Sequence, residues 1–286
     1  MKVLVIGSEG QLGSEFKNNS KSFNKMSWIF SIINDLDLLN LNSINSYLNK
    51  VNPCIIINCA AYTNVDNAET DSELSDIINY KAIDIISIWT SDKNKKLIHI
   101  STDYVFDGLS KIPLSENSFT NPINKYGLSK LKGEQACLKN DSNSIVIRTS
   151  WLYSSFGKNF VKTMIYLMKN NNSVKVVNDQ IGSPTYANDL ARVIIEIIVN
   201  YRSVSGLFHY SNEGEISWFE FAKSIKELYP LDCEIIGVSS EEFKTTAKRP
   251  QYSLLNKSKI KKIFNLEIPN YKKSLKDCIE IIKNEA

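Results

Sequence analysis

The stretch Lys2-Val3-Leu4-Val5-Ile6-Gly7-Ser8-Glu9-Gly10-Gln11-Leu12-Gly13 decides the fold. Val3 to Ile6 is a short, unbroken apolar run, the pattern of a strand buried on both faces in a parallel sheet. It enters a glycine turn, and helix-forming residues follow over 11–17. A strand, a glycine turn and a helix N-terminus in this order bring backbone N–H groups to an anion such as a pyrophosphate. Gly7, Gly10 and Gly13 are therefore candidate nucleotide contacts. A tight strand–helix turn without a ligand is the plainer alternative.

Working outward, apolar strand patterns at 28–33, 54–59, 96–100 and 144–148 alternate with helical spacing at 42–49, 71–92 and 126–139. This alternation predicts an α/β fold, a doubly wound, Rossmann-like parallel sheet with helices on both faces. Beyond Thr149 the pattern is less regular. It predicts a helix over 160–169, a strand over 173–177 and a helix over 189–201 begun by a capping Asn188. Pro230, Pro250 and Pro269 interrupt the remainder. The expected division is an NAD(P)-binding domain of residues 1–150 and 174–204, with a smaller C-terminal α/β substrate domain of 151–173 and 205–286.

The second decisive stretch is Asn124-Lys125-Tyr126-Gly127-Leu128-Ser129-Lys130. Residues four apart share one helix face, about 6 Å apart along the axis. An ammonium placed there is expected to hold down a phenol that otherwise titrates near ~10. Thr102 of Ser101-Thr102-Asp103-Tyr104 stands at the carboxyl end of the fourth strand, where such sheets bind ligands. Alone it reads as a turn or cap. Beside Tyr126 and Lys130 it reads as a hydroxyl for a substrate carbonyl, and the three form the proton-handling half of a carbonyl reductase.

Asn58-Cys59-Ala60-Ala61-Tyr62-Thr63 closes the third strand with small residues that allow close approach of a flat nicotinamide, followed by polar ones. Asp35 and Asp37, after the second strand, either meet the adenosine end of a dinucleotide or sit in a solvated acidic loop. No Lys or Arg stands in Ile32-Ile33-Asn34-Asp35 to take a 2′-phosphate, so the choice between NADH and NADPH is open. Asp103, Tyr104, Trp151, Asn159 and Gln180 are candidates for a nucleotide-sugar wall, and Arg249 for a diphosphate. Core packing for Trp151 and a surface position for Arg249 are the alternatives.

Composition narrows the classes. Apolar residues at 43% and charged residues at 23% suit a globular chain, and a net charge of +3 gives no nucleic-acid or membrane footprint. No apolar run approaches the ~20 residues of a membrane span, and the first residues read as a strand, not a signal peptide. Five cysteines without a CxxC pair and only two histidines leave no metal site to assign, and a cytoplasmic protein is expected. Glycines number 11, yet Gly7, Gly10, Gly13, Gly108, Gly127 and Gly182 all fall in the motifs.

One family is similar across residues 1 to about 275. Ser101-Thr102-Asp103-Tyr104-Val105-Phe106-Asp107-Gly108, Tyr126-Gly127-Leu128-Ser129-Lys130, Arg148-Thr149-Ser150-Trp151 and Asn159-Phe160-Val161 carry the likeness. So do Val177-Asn178-Asp179-Gln180-Ile181-Gly182-Ser183-Pro184-Thr185, Arg249-Pro250 and Ser253-Leu254-Leu255-Asn256. They resemble the dTDP-4-dehydrorhamnose reductases, which are extended short-chain reductases. The resemblance implies reduction of dTDP-4-dehydro-6-deoxy-L-mannose to dTDP-L-rhamnose with NADPH or NADH, for surface polysaccharides. It implies Thr102, Tyr126 and Lys130 as the catalytic trio and Trp151 in the sugar pocket. It implies Gly10, Gln11, Leu12, Ala61, Tyr62 and Thr63 against the cofactor, and a possible homodimer as assembly. Some members hold Mg²⁺ between subunits through glutamates; Glu15 matches one of these, whereas Asn188 sits near the place of another. The alternatives are a reductase or epimerase for another nucleotide sugar, such as a UDP-linked aminosugar, and a catalytically idle NAD(P)-binding regulatory subunit.

Overall fold

Strands and helices alternate through the first half of the chain in a computed structural model that describes residues 1–23 and 26–285. They are β1 (Lys2–Ile6), α1 (Gln11–Asn19), β2 (Ser27–Ser31), α2 (Leu41–Val51), β3 (Ile55–Asn58), α3 (Ser72–Asp76), α4 (Ala82–Asp92), β4 (Lys96–Thr102), α5 (Lys125–Asn140) and β5 (Ile145–Thr149). After them come β6 (Leu152–Tyr153), α6 (Phe160–Asn170), β7 (Ser173–Val177), β8 (Ile181–Gly182), β9 (Thr185–Tyr186) and α7 (Ala187–Asn200). The chain ends with β10 (Gly206–His209), β11 (Ile216–Ser217), α8 (Trp218–Leu228), β12 (Glu234–Val238), α9 (Ser258–Phe264) and α10 (Tyr271–Asn284).

Six strands form one parallel sheet in the order β10-β5-β4-β3-β1-β2. Successive residues of a strand face opposite sides. Val3, Val5, Ile57, Ile98 and Ile147 accordingly pack on α1 and α7 through Leu12, Phe16, Ile194 and Ile198. Leu4, Ile6, Ile56, Leu97 and Val146 pack on α2 and α4 through Ile44, Leu48, Ile83 and Ile86. Both faces are covered, which is why these strands read as unbroken apolar runs. The chain leaves β1 in one direction to β2 and in the other to β3, so a crevice opens at their carboxyl ends. Among the described residues no helix is long and apolar enough to cross a membrane.

A separate core joins α6, β7, α8 and α10 through Val161, Ile165, Val176, Phe221, Ile225 and Leu275. Here the expected boundaries need correction at two places. β7 pairs with β12 in a small two-stranded sheet, not with the large one, and β10 joins the large sheet beside β5. The physical reason lies in burial. β7 buries alternate residues, so one face suffices, whereas Phe208 and His209 of β10 are fully buried. The helix expected from a capping Asn188 also starts earlier, at Ala187, with Tyr186 as its cap. Asn188 Nδ2 instead donates to Glu15 Oε2 at 2.7 Å. The helical stretch expected over 71–92 is broken by a π-helical turn, Ile77–Lys81. Such turns cluster at functional sites. Asn79 from this one grips the backbone of Tyr62, with Oδ1 accepting from its N–H and Nδ2 donating to its carbonyl.

Candidate active site

The three glycines after β1 have three different jobs. Gly7 holds φ at +78°, and a Cβ there would stand 2.6 Å from the Ala60 nitrogen. A Cβ on Gly13 would run into the Gly7 carbonyl, so Gly13 lets α1 pack onto the turn and does not line the crevice. Gly10, the N-cap of α1, has an ordinary φ of −71° and would meet only the Gly7 oxygen, at 3.4 Å. It alone of the three leaves open space in front of a helix N-terminus. Gly7, Gly10, Gln11 and Leu12 line a crevice of ≈ 650 Å³, together with Ala60, Ala61 and Thr63. Gln11 Oε1 is buried there without a protein partner, as a ligand donor requires.

Toward the β2 side the crevice is apolar, lined by Ile32, Ile33, Leu36, Leu38 and Leu39, with Asp37 among them. Asp37 Oδ1 accepts from the Leu39 N–H at 2.9 Å. Asp35 turns its carboxylate back onto the Ile32 N–H at 3.0 Å and stays outside the crevice. The side chain of Tyr62 is outside as well, although Asn79 fixes its backbone at the rim.

At the centre stand Thr102, Tyr126 and Lys130. Asn124 starts α5 by accepting from the Gly127 N–H at 2.7 Å, and Gly127 lets this first turn lie against the Tyr104 carbonyl. One turn places Tyr126 over the end of β4, edge-on to Tyr104 with ring centroids 5.7 Å apart. Thr102 lines the crevice and also caps the turn after β4, where its Oγ1 accepts from the Tyr104 N–H at 3.2 Å. Burial pushes the Tyr126 phenol up to about 12; Thr102 beside it opposes that rise and Asp103 adds to it. The expected depression by Lys130 is not found. Lys130 Nζ donates to the Ile100 carbonyl at 2.6 Å, and burial brings its own pKa down to about 8. A phenol held protonated at neutral pH is a proton donor, and a reduction needs that form.

A family profile described as the RmlD substrate binding domain matches residues 1–284. The dTDP-4-dehydrorhamnose reductase of Aggregatibacter actinomycetemcomitans is 33% identical over 96% of this chain and 97% of its own length. The chain belongs to the dTDP-4-dehydrorhamnose reductase family. The crystal structure of the Clostridium acetobutylicum reductase superposes with a TM-score of 0.95 at 37% identity, covering 99% of this chain and all of that one. The Bacillus anthracis reductase, crystallised in complex with NADP, gives 0.93 at 37% identity over 98% of this chain and 99% of its own.

In this member of the family two expected substrate contacts are engaged elsewhere. Gln180 is buried outside the crevice and donates to Ser240 Oγ at 2.9 Å. Arg249 Nη2 donates to Asp66 Oδ2 at 2.6 Å, so a carboxylate already holds the cation expected to meet a diphosphate. Asp103 lines the crevice, but its oxygens accept from Thr102 Oγ1 at 3.1 Å and Ser253 Oγ at 2.6 Å. Burial raises its pKa to about 6. Asn159 caps α6 at the Lys162 N–H and lines the crevice. Trp151, also in the wall, holds φ at +48° and stacks on Trp218 at 3.7 Å. Trp218 had no signal of its own. The capping box of Ser217 and Glu220 locates the start of α8 in sequence, but not its place over Trp151.

The residues do not fit an Mg²⁺ site at Glu15. Its carboxylate is buried and accepts from Ser154 Oγ at 2.6 Å and Asn188 Nδ2 at 2.7 Å. Burial raises its pKa, which disfavours the anion a metal needs. Among the described residues no group of three or more His, Cys, Asp or Glu side chains is placed to hold a metal.

Proposed function

We propose that this protein reduces the 4-keto group of a dTDP-linked 6-deoxysugar, dTDP-4-dehydro-L-rhamnose to dTDP-L-rhamnose, for surface polysaccharide synthesis. The observation that carries this reading is the meeting of Thr102, Tyr126 and Lys130 in one crevice with Gly7 and Gly10 of the glycine turn. A reduced nicotinamide held there, NADPH or NADH, supplies the hydride. Tyr126 donates the proton to the carbonyl oxygen as it gains charge. Thr102 marks the seat of that oxygen, and Lys130, released from Ile100, holds ribose hydroxyls. Trp151 and Asn159 stand along the sugar. The free cysteines, three of them buried, fit a reducing cytoplasm. A homodimer belongs to the same reading, and sedimentation equilibrium decides it.

Turnover with a panel of 4-keto sugar nucleotides tests the substrate. Preference for a UDP-linked aminosugar would replace the dTDP reading, and cofactor binding without any turnover would favour a regulatory subunit. Gly10→Val tests the cofactor end. The open space and ordinary φ at this position predict a folded variant whose NADPH affinity falls about a hundredfold, ~2.7 kcal/mol. Calorimetric titration showing unchanged affinity would remove the turn as a phosphate site. The segment Ile32 to Leu39 contains no cation and two carboxylates, so NADH is expected to support kcat/KM within about a hundredfold of NADPH. A preference for NADPH beyond a thousandfold would show a 2′-phosphate bound by a cation from elsewhere in the chain.

A further inference from the structure

We infer that Asp103 is a positioning residue for this reduction: with Ser253 behind it, its carboxylate fixes the Thr102 hydroxyl beside Tyr126. The inference rests on the reductase reading above. A threonine hydroxyl has one hydrogen to give and two lone pairs. Thr102 Oγ1 gives its hydrogen to Asp103 Oδ1 at 3.1 Å and accepts from the Tyr104 N–H at 3.2 Å. Those two bonds hold the oxygen in the wall of the crevice. Asp103 is itself 2% exposed, and its second oxygen is tied to Ser253 Oγ at 2.6 Å.

Ser253 belongs to the segment that crosses the substrate side. Its N–H bonds to the Ile181 carbonyl, and the preceding Tyr252 N–H bonds to the Gly108 carbonyl. Asp103 thus joins the end of β4 to that segment through one carboxylate. A hydroxyl rotor changes its hydrogen direction without moving its oxygen. A carbonyl oxygen arriving beside Tyr126 can therefore receive the Thr102 hydrogen, while Asp103 keeps Ser253. Asp103 touches no reacting atom in this scheme; it acts through Thr102.

A double-mutant cycle on the full chain separates this from a structural role, with kcat and KM read for dTDP-4-dehydro-6-deoxy-L-mannose and NADPH. Asp103→Ala is expected to lower kcat about thirtyfold and to leave both KM values within about threefold. Asp103→Asn, whose amide oxygen still accepts from Thr102, is expected to keep at least about a third of kcat. In a Thr102→Val background the alanine change should cost less than about threefold further, because the group it acts through is gone. If Asp103→Ala does not fold, Ser253→Ala carries the same cycle, with an expected loss of about fivefold that vanishes beside Thr102→Val. Losses that multiply in the double variant, or an Asp103→Ala kcat within threefold of the parent, overturn the inference. A parent protein with no turnover of the sugar nucleotide overturns the reductase reading instead.

Discussion

Tyr126→Phe is expected to lower kcat by at least about a hundredfold, within the ~10²–10⁴ typical of a lost general acid. NADPH binding should stay within about threefold, because the change removes one oxygen and keeps the ring. The phenol is the group in the crevice suited to this proton transfer. Burial holds it at about 12, so the acid form is fully present at neutral pH. The other groups beside it fit less well. Lys130 is tied to the Ile100 carbonyl, and the hydrogen of Thr102 rests on Asp103. Edge-on packing against Tyr104 does not need the hydroxyl, so the ring should keep its place. Steady-state kinetics and fluorescence titration of NADPH decide the matter. A kcat within tenfold of the parent, under ~1.4 kcal/mol of barrier, would assign the acid to another group.

Glu134→Ala is expected to destabilise the fold by about 3–5 kcal/mol, much of the ~5–15 kcal/mol that holds a domain together. Glu134 stands one turn beyond Lys130 on α5 and is 2% exposed. Arg148 on β5, equally buried, donates to both of its oxygens, and Ser101 Oγ adds a bond at 2.9 Å. Truncating the acid leaves a guanidinium in the core with, among the described residues, the His209 ring nitrogen at 3.3 Å and the face of Phe106 as company. A charge without a counter-charge there costs far more than the pair contributes. The double variant Glu134→Leu with Arg148→Met removes both charges and should recover most of the loss. Urea unfolding with an unchanged slope measures it. A single-variant loss under ~1 kcal/mol would mean that water reaches the guanidinium.

The same neighbourhood shows where sequence stops. Lys130 and Glu134 are four residues apart on one helix, so their shared face is readable from the chain. Their partners are not. Ile100, Ser101 and Arg148 come from two other strands, and which of them meets which side chain follows from how α5 lies across the sheet. The phenol is a similar case. The spacing of Tyr126 and Lys130 predicts a depressed phenol, but burial, a property of the packed whole, raises it, and Lys130 is turned to the Ile100 carbonyl instead.

By itself the sequence determined what depends on neighbours within a turn or a strand. The glycine turn after β1, the strands buried on both faces and the Tyr126–Lys130 face all follow from local periodicity and backbone freedom. Only the tertiary structure decided what depends on distant partners. It put β10 in the large sheet and β7 outside it, stacked Trp218 on Trp151, turned Arg249 to Asp66 and Gln180 to Ser240, and hung Thr102 from Asp103 and Ser253. Each of those side chains has several chemically acceptable partners along the chain. Close packing leaves one within hydrogen-bond reach, and desolvation makes that choice costly to refuse.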